Sequence, residues 1–449
     1  MTTIEIICLL IEPIIKPQNQ AEVQRILYFT TPFIFQNIMK KHFITFLIGT
    51  LLSTLSLSAA PYHKETTLWE AGTLGYHHFR IPGIIMTDKG TLVAWTEARK
   101  ETGDWADIDI MVRRSSDEGV TWSDPYVLVD GEDSDMEDAD DVTSKASIHG
   151  ATECVTVNNM VMIPDDHGIH MVFCLEYRKC YYAFSDDEGK TMSKPIDITH
   201  AFESYRSEHD YNWKVIATGP GHGLKHSSGR LIIPAWLSTG EGSNAHRPSI
   251  TGVIYSDDKG KTWHGGDVVV KDKIPYDFGD HIQSYINPNE TLAEELVDGS
   301  VMFNSRTESP ENRRVITVSP TGVSNFAHPR FDRALWDPVC HGSIKRYSGI
   351  GDGNRSRLLF TNPNSIDAPR QFVRVNGRRE NVTIRLSYDE GQTWPISRVL
   401  EPGGSGYSDI TVDPDGMIYV LFEEGPGTQT EFLTVAKFNL EWLTDGLDR

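Results

Sequence analysis

The octapeptide SYDEGQTW at Ser387–Trp394 recurs along the chain and decides how the rest of the sequence is interpreted. Three other stretches fit its template, SxDxGxT followed by Trp or Met: Ser115–Trp122, Ser185–Met192 and Ser256–Trp263. Their serines are 70, 71 and 131 residues apart, and the last interval is nearly twice a single step. A degenerate copy, SPTGVSNF at Ser319–Phe326, fills that gap and keeps the serine, the glycine and the terminal aromatic residue. Self-similarity at this period indicates a repeat architecture.

The residue types in each copy predict a hairpin turn. Asp and Ser side chains bond to nearby backbone amides, and Gly supplies a position with positive φ. We expect the Thr and Trp of each copy to start the next strand, with the large apolar residue packed into the core. The flanking segments IDIMVR at 108–113 and VTIRL at 382–386 have the β-branched, partly alternating pattern of strands.

A second repeat runs alongside the first, because a glycine opens an apolar segment six times. These glycines are Gly90, Gly168, Gly229, Gly299, Gly353 and Gly416. Their mean interval of about 65 residues is long enough for four strands of ordinary length with their turns. Six radially repeated units of four strands predict an all-β fold, a six-bladed β-propeller of four-stranded antiparallel blades over residues 61–449. The pattern leaves no room for a separate domain after Trp69.

Composition excludes several classes of function. The chain of 449 residues is 39% hydrophobic and 23% charged, which is typical of a globular protein with a large core. Its formal net charge of −21 argues against a nucleic-acid partner and gives no reason to expect binding to an anionic membrane. An acidic substrate would need a local cationic pocket that overrides this field.

The N-terminal region carries the pattern of a secretion signal that starts at Met39. Lys40 and Lys41 form a basic segment, residues 43–57 are mostly apolar, and small residues follow at 58–60. This predicts a signal peptide at 39–60, a secreted or periplasmic protein without stable membrane insertion after cleavage, and a mis-started or non-structural extension at 1–38. A transmembrane anchor is the alternative, but the apolar run is short.

Cysteine usage gives no sign of a metal site. Cys8 lies in the leader, which leaves Cys154, Cys174, Cys180 and Cys340. Cys174 and Cys180 could pair in an oxidising compartment, although buried free thiols are the preferred interpretation. No CxxC cluster or His-rich spacing suggests zinc.

Charged residues recur at equal depth in the glycine-opened segments. Glu97, Arg306 and Glu423 each stand seven residues after their glycine. If these segments are the innermost strands of a propeller, the three charges meet at one mouth of the axis. A charge at a strand end is usually only solvated, but together they predict a polar funnel.

The FRIP motif at Phe79–Pro82, followed by four SxDxGxT boxes, gives the chain a resemblance to the bacterial exo-α-sialidases, or neuraminidases. The resemblance extends from Trp69 to about Glu424. It implies that three arginines grip a substrate carboxylate: Arg80, Arg306 and Arg379, with Arg378 as the alternative to the last. A planar guanidinium suits this role because it meets a carboxylate with two parallel hydrogen bonds and keeps its charge.

The resemblance also implies a catalytic trio. Asp104 in GDWADIDI corresponds to the general acid, Glu290 in NPNE to the residue that activates the nucleophile, and Tyr407 in GYSD to the nucleophile. Glu423 corresponds to the carboxylate that holds the FRIP arginine. Arg99 is placed like an arginine that contacts a ring hydroxyl. The resemblance implies neither a metal nor an organic cofactor, and no residues match the N-acetyl pocket.

A tyrosine nucleophile makes chemical sense for a sialoside. Its anomeric carbon already bears a carboxylate, so an attacking carboxylate would meet a repulsion of about 4 kcal/mol at ~4 Å and an effective dielectric of ~20. A neutral phenol avoids this, and sialidases are an exception to the two-carboxylate scheme. Either Glu290 accepts the phenol proton during attack, or the arginines lower the pKa of Tyr407. Asp104 needs a raised pKa to act as an acid.

Three other functions stay open at this stage. The first two are a trans-sialidase and a hydrolase of a related nonulosonic acid, such as a deaminated sialic acid. The third is a non-catalytic carbohydrate-binding propeller, since the boxes alone carry no chemistry. The leading prediction is an exo-α-sialidase that acts on sialylated glycans, glycoproteins or glycolipids.

Overall fold

The computed structural model describes residues 60–131, 155–240, 245–274, 284–309, 311–350, 355–365 and 379–448. The predicted extension at 1–38 and the signal peptide at 39–60 lie outside these ranges, apart from Ala60, as do Cys154 and Arg378. No helix within the described ranges is long and apolar enough to cross a bilayer.

About half of the described residues lie in strands, and most of the others lie in turns and loops. The first strands are β1 His63–Glu70, β2 His78–Met86, β3 Leu92–Arg99, β4 Ile108–Ser115, β5 Tyr126–Val129, β6 Val157–Asp165, β7 Gly168–Leu175, β8 Lys179–Ser185, β9 Ile196–Asp197, β10 Val215–Thr218, β11 Gly221–His222, β12 Leu224–Lys225 and β13 Leu231–Ser238. They continue with β14 Ser249–Ser256, β15 His264–Gly265, β16 Lys273–Ile274, β17 Ser284–Tyr285, β18 Thr291–Glu295, β19 Val301–Ser305, β20 Arg313–Ser319 and β21 Arg330–Trp336. The last are β22 Ser343–Ser348, β23 Arg357–Pro363, β24 Glu380–Ser387, β25 Ile396–Val412, β26 Ile418–Gly425 and β27 Phe432–Phe438. Helices are short: a 3-10 turn at Thr199–Phe202, α1 at Glu203–Ser207 and α2 at Leu440–Thr444.

The fold is all-β, as predicted, and its strands pair in groups of four. Three groups have the orders β2-β3-β4-β5, β10-β13-β14-β15 and β18-β19-β20-β21, and in a fourth, β6-β7-β8-β9, the short β11 pairs parallel with β6. A seven-stranded sheet, β22-β23-β24-β25-β26-β27-β1, holds two further groups that share β25. That strand pairs with β24 near its start and with β26 near its end. The N-terminal β1 pairs antiparallel with β27, so the two ends of the described chain complete one sheet.

Each box forms the predicted side-chain-supported turn. In the first copy the Ser115 hydroxyl accepts a hydrogen bond from the Gly119 amide at 2.8 Å, and Asp117 accepts one from the Thr121 amide at 2.9 Å. The same bonds recur in the copies at 185, 256 and 387. The expectation that Thr and Trp start the next strand is wrong. The backbone amide and the side-chain hydroxyl of Thr121 both donate hydrogen bonds to Asp117. These bonds keep Thr121 in the turn, so β5 begins only at Tyr126.

Strands follow all six glycines, as β3, β7, β13, β19, β23 and β26, although Gly353 itself lies outside the described residues. Each is the second strand of its group. The sequence had suggested that these segments would be the first, innermost strands. The reason is that a glycine such as Gly90, with φ of +84°, closes a hairpin between a preceding strand and the one it opens. The preceding strands include β2, which carries the FRIP motif.

The carboxylate of Asp409 ties four strands together in the interior. Its Oδ2 accepts hydrogen bonds from the amides of Ile84 in β2 and His222 in β11, both at 3.0 Å. Its Oδ1 accepts one from the Ser343 hydroxyl of β22 at 2.8 Å and lies 2.7 Å from His222 Nδ1. Burial raises the pKa of Asp409, but His222 and these donors outweigh burial and lower it below its usual range. The carboxylate is therefore held in its ionised form.

We predict that Asp409→Asn lowers the free energy of unfolding by about 3 kcal/mol, the usual cost of removing one partner from a buried charged network. An amide has only one acceptor oxygen, so some of the four donors lose their partner. Urea unfolding at pH 7 measures the effect, and Asp415→Asn, at an exposed site in a turn, is the control.

The effect also has a predicted pH dependence. Because folding lowers the pKa of Asp409, its contribution is fully present above the unfolded pKa of about 3.9 and is lost as the pH falls towards the folded value. The difference in free energy of unfolding between wild type and Asp409→Asn should therefore become smaller below about pH 4. Equal stability of Asp409→Asn and wild type at pH 7 would show that Asp409 does not support the fold.

Candidate active site

A buried glutamate organises one end of the strands β2 and β25. The carboxylate of Glu423, in β26, accepts hydrogen bonds from Arg80 Nε at 3.1 Å and Arg80 Nη2 at 3.3 Å. It also accepts one from the Ile81 amide at 3.1 Å and one from the Tyr407 amide at 3.0 Å. A single side chain thus fixes the FRIP segment of β2 and the GYSD segment of β25 relative to each other.

The FRIP segment has an unusual backbone at this point. Ile81 has φ of +57°, which is a rare and strained conformation for a β-branched residue, and the pairing of β2 with β3 shifts register between Arg80 and Gly83. The hydrogen bond from the Ile81 amide to Glu423 helps to hold this bulge. Gly406 is required next to it, because a Cβ there would lie 2.0 Å from Glu423 Oε2.

Three guanidinium groups surround the ring of Tyr407. The Cζ atoms of Arg80, Arg379 and Arg306 lie 5.0, 5.6 and 5.9 Å from its centroid. Arg379 donates from Nη2 to the Val339 carbonyl at 2.6 Å. The buried Nε atoms of Arg306 and Arg379 have no hydrogen-bond partner in the described part of the chain. These unused donors favour an anionic ligand, since buried N–H groups are almost always paired.

The hydroxyl of Tyr407 forms hydrogen bonds with one carboxylate and one guanidinium group. It donates a short hydrogen bond to Glu290 Oε1, and Arg306 Nη1 donates to the same hydroxyl at 2.6 Å. Arg306 also pairs closely with Glu290 Oε2. Glu290 immediately precedes β18 and Arg306 immediately follows β19, which are neighbouring antiparallel strands, so the sheet itself brings them together.

Burial raises the pKa of Tyr407 well above its usual range. The three arginines act in the opposite direction but do not offset burial and the nearby Glu290. Burial would also raise the pKa of Glu290, but Arg306, His341 and the Tyr407 hydroxyl lower it below its usual value. The phenol is therefore neutral and the carboxylate ionised. The alternative in which the arginines lower the pKa of Tyr407 below its ordinary value is wrong, because burial and Glu290 outweigh them.

Asp104 lies on the loop after β3 with its side chain about half exposed. Its Oδ1 accepts a hydrogen bond from Arg99 Nη1 at 2.9 Å, and Arg99 also binds the buried Glu97 through Nε at 3.0 Å. Burial raises the pKa of Asp104, but Arg99, His246 and Arg80 together outweigh burial and lower it well below its usual range. The prediction of a raised pKa for Asp104 is therefore wrong, because Arg99 is a direct partner of the carboxylate.

These groups face a cavity of about 360 Å³. Predicted site residues that line it are Arg99, Asp104, Glu290, Arg306, Arg379 and Tyr407. Arg80 and Glu423 are not part of the lining, but both contact Tyr407: Arg80 Cζ lies 5.0 Å from its ring centroid, and Glu423 accepts a hydrogen bond from its amide. Around the tyrosine three arginines face two glutamates, so this half of the site carries a net positive charge within an acidic protein.

Comparison with known proteins places the chain in a family. The BNR repeat-like domain family matches residues 156–420, more than half of the sequence. This chain belongs to the BNR repeat-like family. Its similarity to sialidases, predicted from the FRIP motif and the boxes, is confirmed by its curated relatives.

Two curated relatives of this BNR-repeat protein illustrate the range of similarity. It is 28% identical over 412 residues to a sialidase of Micromonospora viridifaciens, which covers 85% of this chain and 55% of the relative. It is 25% identical over 457 residues to an exo-alpha-sialidase of Aspergillus fumigatus, which covers 90% of this chain and 96% of the relative. The chain thus spans little more than half of the first relative's length.

Solved structures share the fold. A Hadza microbial sialidase superposes with a TM-score of 0.64 at 22% identity, covering 85% of this chain and 69% of that one. A Trypanosoma rangeli sialidase gives 0.60 at 17% identity, covering 84% and 60%. At these identities the likeness concerns the architecture alone.

Sequence reasoning missed one wall of the cavity. The additional lining residues are Ile81, Asn159, Tyr177, Trp236, His246, Arg247, Asn289 and Glu308. Trp236 stands seven residues after Gly229, the same offset as Glu97 from Gly90, and that offset could have suggested it. Tyr177 follows β7 and stands nine residues after Gly168, so the offset did not single it out. His246 and Arg247 precede β14 in a segment without a repeated pattern, so nothing in the sequence singled them out.

The described cysteines are buried free thiols, as the sequence favoured: Cys174, Cys180 and Cys340. Cys174 and Cys180 are directly opposed across β7 and β8. Cys340 packs against Ile81 and Tyr407.

We predict that Glu423→Gln lowers the free energy of unfolding by about 3–5 kcal/mol, because it leaves the buried Arg80 without a charged partner. The amide can also accept from fewer of the four donors. Chemical denaturation measures the loss, and Glu70→Gln, an exposed glutamate at the end of β1, is the matched control. Unchanged stability in both variants would contradict the organising role of Glu423.

Proposed function

We propose that this protein is a secreted exo-α-sialidase that removes terminal sialic acid from glycoconjugates with retention of configuration. One observation carries the proposal: three guanidinium groups lie within 6 Å of the ring of Tyr407, whose hydroxyl is bonded to Glu290. A site of this kind suits a substrate that presents a carboxylate beside the carbon under attack.

In this proposal Arg80, Arg306 and Arg379 bind the sialic acid carboxylate. The unpaired Nε donors of Arg306 and Arg379 support this role, since an incoming carboxylate would supply their missing acceptors. The same carboxylate would partly neutralise the positive charge around Tyr407. Arg80 is held at one edge by Glu423, which limits the orientations its guanidinium can take.

Tyr407 is the proposed nucleophile and Glu290 its base. A phenol attacking a carbon that bears a carboxylate avoids the like-charge repulsion an attacking carboxylate would meet. Because the pKa of Tyr407 is raised and that of Glu290 is lowered, the proton stays on the phenol until the reaction begins. We infer that Glu290 takes the proton only as the bond to the anomeric carbon forms.

Two displacements complete the proposed reaction. In the first, Tyr407 Oη bonds to the anomeric carbon, its proton passes to Glu290, and the glycosidic bond breaks as the departing oxygen receives a proton through Asp104. In the second, water attacks the anomeric carbon, Asp104 accepts its proton, and the tyrosyl bond breaks with return of the proton from Glu290. Two inversions at one carbon give net retention.

We infer that the six strand groups are the blades of a closed six-bladed β-propeller. Contacts between neighbouring groups support a ring: β2 with β6, β6 with β10, β12 with β18, β18 with β22, β22 with β25, and β25 with β2. The pairing of β1 with β27 would close it, in keeping with the absence of exposed edges in closed β architectures.

Export is part of the same proposal and depends on the sequence pattern at residues 39–60. The cleaved protein would meet sialylated glycans, glycoproteins or glycolipids outside the cytoplasm. Hydrolysis of α2,3-, α2,6- and deaminated sialosides, with the product anomer followed by NMR, tests the reaction and its substrate range. Adding lactose as an acceptor separates hydrolysis from transfer. Absence of product from all three sialosides would exclude this proposal.

We predict that Tyr407→Phe lowers kcat by at least about 10³-fold, as expected when the nucleophile of a covalent mechanism is removed. Binding of sialic acid, measured by calorimetry, should change by less than about fivefold, because the arginines stay in place. Tyr255→Phe, in β14, serves as a control with unchanged kinetics. Robust hydrolysis by Tyr407→Phe would contradict the assignment.

We predict that the acidic limb of kcat/KM reports Glu290. The base must be ionised, and its pKa is lowered, so activity should persist below the ordinary glutamate value of about 4.3 and fall only as the pH drops through the lowered pKa. A pH profile with an aryl sialoside measures this limb. An acidic limb above about pH 6 would show that a different group acts as the base.

A further inference from the structure

The proposed acid has a partner that makes proton donation difficult. Asp104 Oδ1 accepts a hydrogen bond from Arg99, and a permanently charged guanidinium stabilises the ionised carboxylate. Only Oδ2 is available to carry a proton. The proton must therefore come from a group on the Oδ2 side of the carboxylate.

On that side lies a histidine. His246 Nε2 is 3.7 Å from Asp104 Oδ2. This distance is longer than a hydrogen bond, as is common for catalytic contacts in sites without substrate. Histidine is the side chain that exchanges a proton most readily near neutral pH.

The histidine is fixed by aromatic side chains that also hold the loop of Asp104. The His246 ring centroid lies 5.0 Å from that of Trp105, 5.4 Å from Trp236 and 6.0 Å from Tyr177. Trp105, the residue next to Asp104, packs against Tyr177 with ring centroids 4.5 Å apart and the rings tilted by 42°. Any shift of the loop is therefore limited by the same rings that orient the imidazole.

Resting on the sialidase activity proposed above, we propose that His246 is a positioning residue that supplies Asp104 with its proton, so that the two side chains act as one acid. The pair holds one proton between His246 Nε2 and Asp104 Oδ2. When the glycosidic bond breaks, this proton passes through Asp104 to the departing oxygen and leaves His246 neutral. When water attacks the tyrosyl intermediate, the pair takes a proton from that water and is restored.

The charges around Asp104 and His246 set the pH range in which this pair holds its proton. Burial lowers the pKa of His246, Asp104 and Glu290 raise it, and Arg306 and Arg247 lower it further, with a net decrease below the usual value. The other ionisable groups that face the pair are Arg99 and Arg80 towards Asp104, Tyr177 in the aromatic wall, and Glu308, which is paired with Arg247. The ordinary pKa of an imidazole, about 6.5, lies well above that of a carboxyl, about 3.9, and the pKa of Asp104 is itself lowered. The pair therefore keeps its proton to a higher pH than Asp104 alone would.

The test compares two substrates that differ in their need for an acid. 3′-Sialyllactose has a poor leaving group and requires a proton, whereas the 4-methylumbelliferyl sialoside does not. We predict that His246→Phe, which keeps an aromatic ring in the cluster, lowers kcat/KM for sialyllactose by about 10²-fold, the usual contribution of general acid catalysis. For the umbelliferyl substrate the change should be within about threefold.

The pH profile separates this role from packing. In His246→Phe the alkaline limb for sialyllactose should move down by about one pH unit or more, from the value of the pair towards that of an isolated aspartate. Trp236→Phe, in the same cluster, should leave that limb in place and affect both substrates alike. Asp104→Asn and the double variant should show the same selective loss, since residues that act as a unit are not additive.

The outcomes distinguish the two proposals. If wild-type enzyme cleaves neither substrate, the proposed sialidase activity is wrong. If it cleaves both, but His246→Phe slows them equally or leaves the alkaline limb unchanged, His246 is only a packing residue and this inference is wrong.

Discussion

The buried carboxylate of Glu423 is the interaction on which the site depends. It receives four hydrogen bonds, two from the guanidinium of Arg80 and two from the amides of Ile81 and Tyr407. An ion buried this deeply is tolerated only when its hydrogen-bonding capacity is met, and here the chain meets it with groups from two strands. The position of an arginine and the position of the proposed nucleophile are therefore set by one side chain and cannot vary independently.

Local strain near Glu423 follows from the same arrangement. The backbone of Ile81 adopts a positive φ at a bulge, and Gly406 has no room for a side chain. Such features persist only where the surrounding structure determines them, and they are concentrated at functional sites. The regular strands on either side provide that support. The box turns do not need such support from distant parts of the chain, since each is stabilised by its own Ser and Asp side chains.

The electrostatics of the cavity differ between its two halves. Around Tyr407, burial and Glu290 keep the phenol protonated in spite of three nearby arginines. Around Asp104, the guanidinium of Arg99 keeps the carboxylate ionised in spite of burial. Neither Tyr407 nor Asp104 therefore has the protonation state that the proposed reaction needs. Proton movement then has to accompany substrate binding and bond formation, when a new carboxylate and a departing oxygen change both environments.

The sequence by itself determined the all-β class, the four-strand period, the box turns and the residue types of the site. It could do so because turn chemistry is local and recurs at a fixed spacing: the side chains of Ser115 and Asp117 bond to groups of the same turn. The resemblance carried by the FRIP motif supplied residues such as Arg80 and Tyr407, and the fold places them side by side. Only the tertiary structure decided which strand of each group holds the glycine-opened segment. It alone brought His246 beside Asp104 and set the pKa shifts of Asp104 and Tyr407. These properties depend on burial and on contacts between side chains more than 100 residues apart, such as that of Tyr407 with Glu290. No local pattern encodes them.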